Sequence, residues 1–413
     1  MSSLTIEGLI VNRDESFYGQ VSISKETGLI TRVSKSLESP DLKTNGLIFP
    51  GFGDLHVHAR EDASHKQDYK EDFSSASAAA VNGGVVHYCD MPNNPVAPID
   101  EQKYREKQAL AAKSSVHVTL YAGIGPSTNP LPFRVPYKAY MGPSVGDLFF
   151  TSQEQLEETI KRYRGQSVSF HCEDPRLLEE SKSRETHEQR RPAEAEVSAT
   201  EFALHLVEEY GLQGKLCHFS TRDGLRLVEK AKKKGLSVTC EVTPHHLFFD
   251  DSMLSQENRL WLQMNPPIRS KDDRLELIEA LRRGVIDFLA TDHAPHTAEE
   301  KMKGTSGVPH LDTYGAFVSW LLVEQKFKPE DVARVCSFNP GEFVKPFLPQ
   351  ALGKGFGRIE AGFAGSLAIL NPDSPRKVTR ESLKTKCGWS PFAGMTFPGR
   401  VEFTVLKGRV LEN

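Results

Sequence analysis

Two histidines separated by one residue carry the first chemical signal in this sequence. His56 and His58 follow an apolar run that ends at Gly51, and Arg60 comes two residues later. Alternate side chains of a β-strand point to the same side, so both imidazoles would project together with Arg60 beyond them. Two such imidazoles can bind one metal ion, and a guanidinium beside them can hold a carboxylate. Because half-buried strands often carry polar residues at alternate positions, this pair alone does not establish a metal site.

More residues with metal-binding side chains stand at the ends of β-like runs farther along the chain. They are His171, His218 and Asp292. If these runs converge, His56, His58 and Asp292 can hold one divalent ion, while His171 and His218 hold a second. Imidazole and carboxylate ligands suit zinc. Two close ions of this kind can bridge and acidify a water molecule, which is the chemistry of metal-assisted hydrolysis.

Lys138 is an unusual residue for the strand-like segment in which it lies, Pro136 to Met141. A buried ammonium is costly, so one interpretation is that the side chain reaches the surface or pairs with an acidic residue. The other is that its amine forms a carbamate with carbon dioxide. A carbamate is an anion with two oxygens that can bridge two metal ions. The metal-binding residues elsewhere in the chain favour the carbamate.

The elements that must position these residues alternate regularly through the middle of the chain. Eight short β-like runs are separated by segments of helical character, which predicts an α/β fold with a TIM-like (β/α)8 barrel. In such a barrel the working residues lie at the C-terminal ends of the strands. A doubly wound open sheet is the alternative, but no GxGxxG motif supports a dinucleotide fold. The predicted strands are 53–58, 85–90, 116–122, 137–141, 167–171, 215–219, 236–242 and 285–291.

The two chain ends differ from the middle, because both consist of short β-like runs separated by turns. Neither end has enough apolar residues to form a core by itself. We therefore expect both ends to form one small β-sandwich domain beside the barrel. This divides the chain into a β-domain of residues 1–50 with 353–413 and a barrel domain of residues 51–352.

Composition excludes several classes of protein. A net charge of −4 over 413 residues does not predict a broad basic surface for nucleic acid. No window is apolar over the length needed to cross a bilayer, and the N-terminus lacks the pattern of a signal peptide. None of the six cysteines forms a CxxC pair. We therefore expect a reduced, cytoplasmic protein that binds neither nucleic acid nor membrane.

Seven motifs in the chain resemble those of the dihydroorotases, a cyclic amidase branch of the amidohydrolase superfamily. They occur in the same order between Pro50 and Pro309. They are HVHAR at 56–60, MPNNP at 91–95, YKAYMGPS at 137–144, FHCED at 170–174, CH at 217–218, TCEVTPHHL at 239–247 and TDHAPHT at 291–297. The resemblance implies reversible hydrolysis of L-dihydroorotate to N-carbamoyl-L-aspartate in pyrimidine biosynthesis. As partners we expect this small-molecule substrate and a second copy of the chain, in a homodimer.

The resemblance also implies two zinc ions bridged by carboxylated Lys138 and by a hydroxide, with Asp292 as general acid and base. The implied metal ligands are His56, His58, Lys138, His171, His218 and Asp292. The implied substrate-binding residues are Arg60, Asn93 and His296 for the substrate carboxylate, Asn265 as a substrate contact found in part of the family, and Ser306 and Gly307, whose backbone lines the ring. Ser144 and Val145 match a mobile loop that closes over the substrate. Glu241 and Cys217 are expected to support the metal site rather than to bind metal.

Two other classes of function stay open at this point. The first is another cyclic amidase, such as a dihydropyrimidinase, hydantoinase or allantoinase, which can share the same metal-binding core. Dihydroorotate carries a carboxylate and dihydrouracil does not, so the pair Arg60 and His296 favours dihydroorotate. The second is a non-catalytic, dihydroorotase-like scaffold that holds a transcarbamoylase. Scaffolds of that kind lose metal ligands, and this chain has every expected one.

Overall fold

Eight parallel strands form a barrel at the centre of the computed structural model, which describes residues 2–36, 38–143 and 148–413. The third strand changes its pairing partner at Tyr121, and a parallel bridge between Val57 and His293 closes the ring. We number the barrel strands 1 to 8 in chain order. They are Phe52–Val57, Val85–Asp90, His117–Leu120 continued by Ala122–Ile124, Tyr137–Tyr140, Ser167–His171, Gln213–Leu216, Val238–Val242 and Phe288–Leu289.

The predicted barrel is confirmed, and strands 6 and 8 differ from their predicted bounds in the way that matters most for the site. Strand 6 ends at Leu216, before His218, and strand 8 covers only Phe288–Leu289. His218 and Asp292 have φ angles of +36° and +47°, in the left-handed region that interrupts extended pairing. The metal-binding residues of these two segments therefore lie just beyond the paired strands.

Helices cover the outside of the barrel. The helix Arg222–Lys233 is representative, since it buries Leu225 and Val228 while Lys230 and Lys233 of its last turn are exposed. Gly211 and Gly284 end two helices with left-handed backbones, as their positions in the sequence predict. No helix among the described residues is long and apolar enough to span a membrane. The α-helices of at least eight residues are Phe73–Asn82, Glu101–Ala111, Gln153–Ile160, Ala193–Tyr210, Arg222–Lys233, Lys271–Arg283 and Tyr314–Val323.

Shorter helical segments connect these elements. The short α-helices are Pro175–Ser181, His187–Arg190, Pro244–Phe248, Ala298–Met302, Pro329–Ala333 and Asn339–Val344, with a π-helix at Arg334–Phe338. The 3-10 helices are Lys161–Tyr163, Asp251–Met253, Leu311–Thr313, Lys345–Phe347, Gln350–Leu352 and Arg380–Ser382. All six cysteines are free, as predicted.

Both chain ends contribute to one mixed sheet of seven strands outside the barrel. One apolar cluster, which includes Ile6, Ile48 and Val405, takes all its buried members from residues 1–50 and 353–413. The expected β-domain built from both ends is thus confirmed. Its strand order is Arg409–Glu412, Arg400–Leu406, Leu367–Asn371, Leu42–Pro50, Ser3–Val11, Ser16–Ser24 and Ile30–Ser34. A two-stranded ribbon, Arg376–Lys377 with Thr396–Phe397, accompanies it.

Candidate active site

A cavity opens at the C-terminal ends of the barrel strands, where the sequence places the working residues. Ten of the predicted site residues line it, His296 contacts Arg60 of this group, and Lys138 Nζ lies 5.1 Å from the ring centroid of Tyr140, another lining residue. Ser144 and Val145 lie outside the described residues. Tyr140 and Ala294 also line the cavity and were not predicted. The lining among the described residues is His56, His58, Arg60, Asn93, Tyr140, His171, His218, Asn265, Asp292, Ala294, Ser306 and Gly307.

The first group of candidate metal ligands consists of His56, His58 and Asp292. The Nε2 atoms of the two histidines lie 3.2 and 3.0 Å from Asp292 Oδ1. On the far side of each ring, His56 Nδ1 donates to Glu241 Oε1 at 2.5 Å, and His58 Nδ1 donates to Asn93 Oδ1 at 2.8 Å. Because Nδ1 carries the proton in each ring, the lone pair on Nε2 is free, and it faces Asp292. This donor set fits a divalent metal ion such as zinc.

The second group is the pair His171 and His218. Nδ1 of His171 faces Nε2 of His218 at 2.8 Å, and the other nitrogen of His171 donates to Glu173 Oε2 at 2.7 Å. Arg191 binds the same carboxylate at 2.7 Å. Although burial acts against it, the Arg191 guanidinium holds the pKa of Glu173 far below its usual value. Glu173 therefore stays ionised and fixes the ring of His171 so that Nδ1 faces the cavity.

Burial sets the protonation states of the ligand groups. Removal from water lowers the pKa of His56, His58 and His218 well below the usual histidine value, and it also lowers that of His171. These imidazoles are therefore neutral, which is the form that binds metal ions. Burial raises the pKa of Asp292 to about 7.

Lys138 lies close to both groups of candidate ligands. Its side chain is fully buried, and Nζ donates to Cys217 Sγ at 2.8 Å. Cys217 Sγ lies within 4.8 Å of a ring nitrogen of His56 in the first group, and Cys217 directly precedes His218 of the second group in the chain. An anion built on this nitrogen would have both groups within its reach.

Glu241 holds candidate metal ligands in place through hydrogen bonds. Its two oxygens accept hydrogen bonds from His56 Nδ1, from the His218 backbone and from the buried ammonium of Lys215. Glu241, His56 and Cys217 also form a cluster of three potential metal ligands. Because the Glu241 carboxylate is already engaged by these donors, its geometry suits orientation of His56, as expected from the sequence.

Three site residues have left-handed backbone conformations. The φ angles of Arg60, His218 and Asp292 are +64°, +36° and +47°. Each such conformation costs a non-glycine residue on the order of 1–3 kcal/mol, so the surrounding structure must hold it in place. The Asn94 side chain does this at Arg60, because its Nδ2 donates to the Arg60 carbonyl at 2.9 Å. Strain of this kind concentrates at functional sites.

A positively charged corner occupies one side of the cavity. An amino group of Arg60 donates to His296 Nε2 at 3.2 Å, and Lys70 Nζ lies 3.4 Å from the opposite nitrogen of that ring. Burial, with the Arg60 and Lys70 charges, places the pKa of His296 far below its usual value. His296 is therefore neutral and leaves the cationic charge to Arg60. Sequence reasoning missed Lys70, because this residue lies in a polar segment and not at the end of a predicted strand.

The loop that carries Ser306 and Gly307 is fastened by one buried lysine. Nζ of Lys301 donates to the carbonyl oxygens of Gln263, Thr305 and Gly307 at 2.9, 2.8 and 2.9 Å. Gly307 has a φ of +133°, and a Cβ there would lie 2.7 Å from the Ala294 carbonyl oxygen. Only glycine suits this position. Sequence reasoning missed Lys301, because its charged surroundings are typical of an exposed helix.

Neutral imidazoles, a carboxylate and a buried lysine at the mouth of a (β/α)8 barrel are typical of metal-dependent hydrolases. Comparison with known families agrees with this class. The amidohydrolase family profile matches residues 47–411, and the chain belongs to that family.

Relatives of similar length extend the comparison. The dihydroorotase of Thermococcus kodakarensis is 32% identical over 419 residues, which cover 100% of this chain and 95% of the relative. The dihydroorotase of Methanosarcina acetivorans is 31% identical over 420 residues, covering 94% of this chain and 87% of the relative. Among solved structures, an L-hydantoinase (dihydropyrimidinase) from Arthrobacter aurescens superposes with a TM-score of 0.88 at 23% identity, covering 100% and 96% of the two chains. At that identity the superposition confirms the fold alone.

Proposed function

We propose that this chain is a dihydroorotase, which reversibly hydrolyses L-dihydroorotate to N-carbamoyl-L-aspartate. The observation that carries the proposal is the position of Arg60. Its guanidinium lines the same cavity as the candidate metal ligands, and its buried Nε has no partner in the part of the chain that the structure describes. A substrate with a carboxylate next to its amide can pair with Arg60 while the amide carbon lies among the ligands. The relatives named dihydroorotase support the same assignment.

The metal requirement follows from the two ligand groups. We propose that His56, His58 and Asp292 hold one zinc ion and that His171 and His218 hold the other. Zinc at these positions would lower the pKa of a water molecule and polarise the amide carbonyl. Glu241, Glu173 and Asn93 would fix the imidazole rings through the nitrogens that face away from the cavity.

Lys138 would supply the bridging anion. The Lys138 ammonium would first lose one proton. The neutral amine would then attack carbon dioxide, so that a carbon–nitrogen bond forms, a C=O π bond breaks and a second proton leaves to solvent. A cationic side chain would thereby become an anionic carbamate. Complete burial of Lys138 supports this step, since an isolated ammonium is costly there. Its contact with Cys217, which lies next to members of both ligand groups, supports a bridging role.

The remaining residues position the substrate and move a proton. Arg60, with the neutral His296 beside it, binds the substrate carboxylate, and the Asn265 side chain meets the ring. A water molecule adds to the amide carbon while Asp292 accepts its proton. Asp292 then returns this proton to the ring nitrogen as the carbon–nitrogen bond breaks. The new carboxyl group releases its remaining proton to solvent, so the product has a new carboxylate and a free ureido group, and the reverse sequence closes the ring.

A second candidate is a hydantoinase or dihydropyrimidinase, favoured by the similarity of the fold to such enzymes. Their rings carry no carboxylate on the ring carbon. A cavity for a neutral ring would gain nothing from a buried guanidinium, whose removal from water costs several kcal/mol when it lacks an anionic partner. Arg60 therefore favours dihydroorotate.

The direct test is turnover of four rings by the zinc-loaded protein: dihydroorotate, dihydrouracil, hydantoin and allantoin. We expect kcat/KM for dihydroorotate to exceed the other values by at least about 100-fold, which corresponds to one charge-assisted interaction of about 3 kcal/mol. Faster turnover of a neutral ring would overturn the proposal in favour of the second candidate. Purified protein that retains no zinc and hydrolyses none of the rings would favour a non-catalytic scaffold.

A further inference from the structure

Three side chains that line the cavity contain a buried polar atom with no hydrogen-bond partner among the described residues. These atoms are Arg60 Nε, Tyr140 OH and Asn265 Oδ1. A buried polar group without a partner costs about 1–3 kcal/mol, so a protein rarely leaves one in place without a reason. Arg60 and Asn265 are predicted substrate-binding residues, and a bound substrate would supply their partners. Tyr140 has no predicted role, yet it has the same unpaired group in the same cavity.

The placement of Tyr140 brings it to the reacting end of the site. It lies on barrel strand 4, two residues after Lys138, so both side chains point to the same side of the strand. Its ring centroid lies 6.1 Å from that of His171 and 5.1 Å from Lys138 Nζ. Only 2% of the residue is exposed.

The hydroxyl of Tyr140 is a hydrogen-bond donor in this setting. A phenol has one O–H donor, and the Tyr140 hydroxyl has no acceptor among the described residues. Arg60 and Asp292 line the same cavity as Tyr140. Tyr140 therefore shares the cavity with the residue that would bind the substrate carboxylate and with the group that would act on the amide.

We propose that Tyr140 is a substrate-contacting residue whose hydroxyl donates a hydrogen bond to an oxygen of the bound ring. The inference rests on the proposed function. The three unpaired atoms are then complementary to dihydroorotate: Arg60 Nε–H suits its carboxylate, Asn265 Oδ1 suits a ring N–H, and Tyr140 O–H suits a carbonyl or carboxylate oxygen. The substrate would satisfy all three groups at once.

The test replaces Tyr140 by Phe, which removes one oxygen and keeps the ring. Tyr88→Phe is a matched control, because the Tyr88 hydroxyl is also buried without a partner but does not line the cavity. In Tyr140→Phe we expect kcat/KM for dihydroorotate to fall about 10- to 100-fold, while zinc content and melting temperature match wild type. Tyr88→Phe should leave all three quantities unchanged.

Two results would overturn the inference. In the first, Tyr140→Phe retains kcat/KM within about twofold of wild type, the range expected for the control. In the second, zinc content falls in proportion to activity, which would assign Tyr140 a structural role. A wrong assignment of the substrate would give a different result from a wrong role for Tyr140, because the wild-type protein would then hydrolyse a neutral ring in preference to dihydroorotate. A 10-fold loss on that ring in Tyr140→Phe would still support the contact.

Discussion

Each imidazole of the first ligand group uses its two nitrogens for different purposes. In His56 and His58 the Nδ1 atom binds an acceptor behind the ring, and Nε2 faces Asp292. His171 uses the opposite assignment, with Nε2 on Glu173 and Nδ1 toward the cavity. The partner behind each ring thus decides which lone pair is available to a metal ion.

Asp292 offers the sharpest test of a single residue. In Asp292→Asn the amide oxygen can still contribute a ligand, but the side chain can no longer accept a proton. We expect kcat to fall about 10²- to 10⁴-fold, the usual contribution of general acid–base catalysis, while the protein retains most of its zinc. Steady-state kinetics and metal analysis of the same preparation measure both quantities. Turnover close to wild type would rule out the general-base role.

Lys138 is tested by loss and chemical rescue. Lys138→Ala removes the nitrogen on which the carbamate forms, so zinc content and activity should both fall. Acetate or propionate in the buffer should restore part of the activity, because a short carboxylate can enter the space left by the side chain. Intact Lys138 protein should also show the mass of one added carbon dioxide under native conditions. Full zinc content and activity in Lys138→Ala would exclude a carbamate bridge.

At the residue scale, sequence motifs predicted the groups that face the cavity better than those that hold them. His56, His58 and Arg60 are recognisable because strand periodicity places them on one side, next to a turn. Lys215 and Lys301 carry no such mark, because a lysine is usually exposed and only tertiary packing decides that these two are buried. Residues that face the cavity can be predicted from the local sequence pattern. The residues that support them can be recognised only from the assembled fold.

At the scale of elements, hydrogen bonds from side chains join the first and last barrel strands. Asp54 accepts from the backbone of His56 and from both the backbone and the hydroxyl of Thr291. The two segments that carry His56 and Asp292 are thereby held in register, which regular ladder pairing does not provide beyond Leu289. Burial raises the pKa of Asp54 to about 7, although three donors stabilise its ionised form.

The loop at residues 304–307 is held in place by one buried side chain, that of Lys301. Lys301→Met would leave the carbonyl groups of Gln263, Thr305 and Gly307 without their shared donor. Because Ser306 and Gly307 line the cavity, we expect KM for dihydroorotate to rise about tenfold, with a smaller change in kcat. Steady-state kinetics measures this split.

Lys303→Met is the matched control for that experiment, because Lys303 follows the same short helix and is exposed. It should leave KM unchanged. Equal kinetics in the two variants would show that the buried lysine does not position the loop.

Strand and helix alternation was predictable because most barrel strands are short runs rich in Val, Ile, Phe or Tyr, and because helices such as Arg222–Lys233 bury one apolar face. The end of strand 8 was not predictable in the same way. Its apolar run continues toward Thr291, but hydrogen bonds to Asp54 and the left-handed backbone at Asp292 replace ladder pairing there. The sequence pattern indicates which residues are buried. The ends of a strand also depend on hydrogen-bond partners that are far away in the chain.

At the scale of the whole molecule, the C-terminal part of the chain reaches the cavity rim. Trp389 Nε1 donates to the His296 carbonyl oxygen at 2.7 Å, and Thr385 and Lys386 bind Glu71. The segment after residue 353 thus supports the corner of the site that holds Arg60. The division into residues 1–50 with 353–413 and residues 51–352 stays a prediction, as does the homodimer.

Removal of metal should affect the entire fold, because the candidate ligands come from five different barrel strands or the loops that follow them. A ligand that binds only the folded state adds about 4 kcal/mol of stability when its free concentration is a thousand times its Kd. We expect a chelator to lower the melting temperature and abolish turnover, and added zinc to restore both. An unchanged melting temperature in metal-free protein would contradict a site shared by these strands.

The central claim is that Arg60 selects a ring that carries a carboxylate. Its most direct test is the ratio of kcat/KM for dihydroorotate to kcat/KM for dihydrouracil, measured in zinc-loaded wild type and in Arg60→Met. The account predicts a ratio of at least about 100 in wild type, and a fall of about two orders of magnitude in the variant while zinc content is retained. A ratio that is the same in both proteins would contradict it.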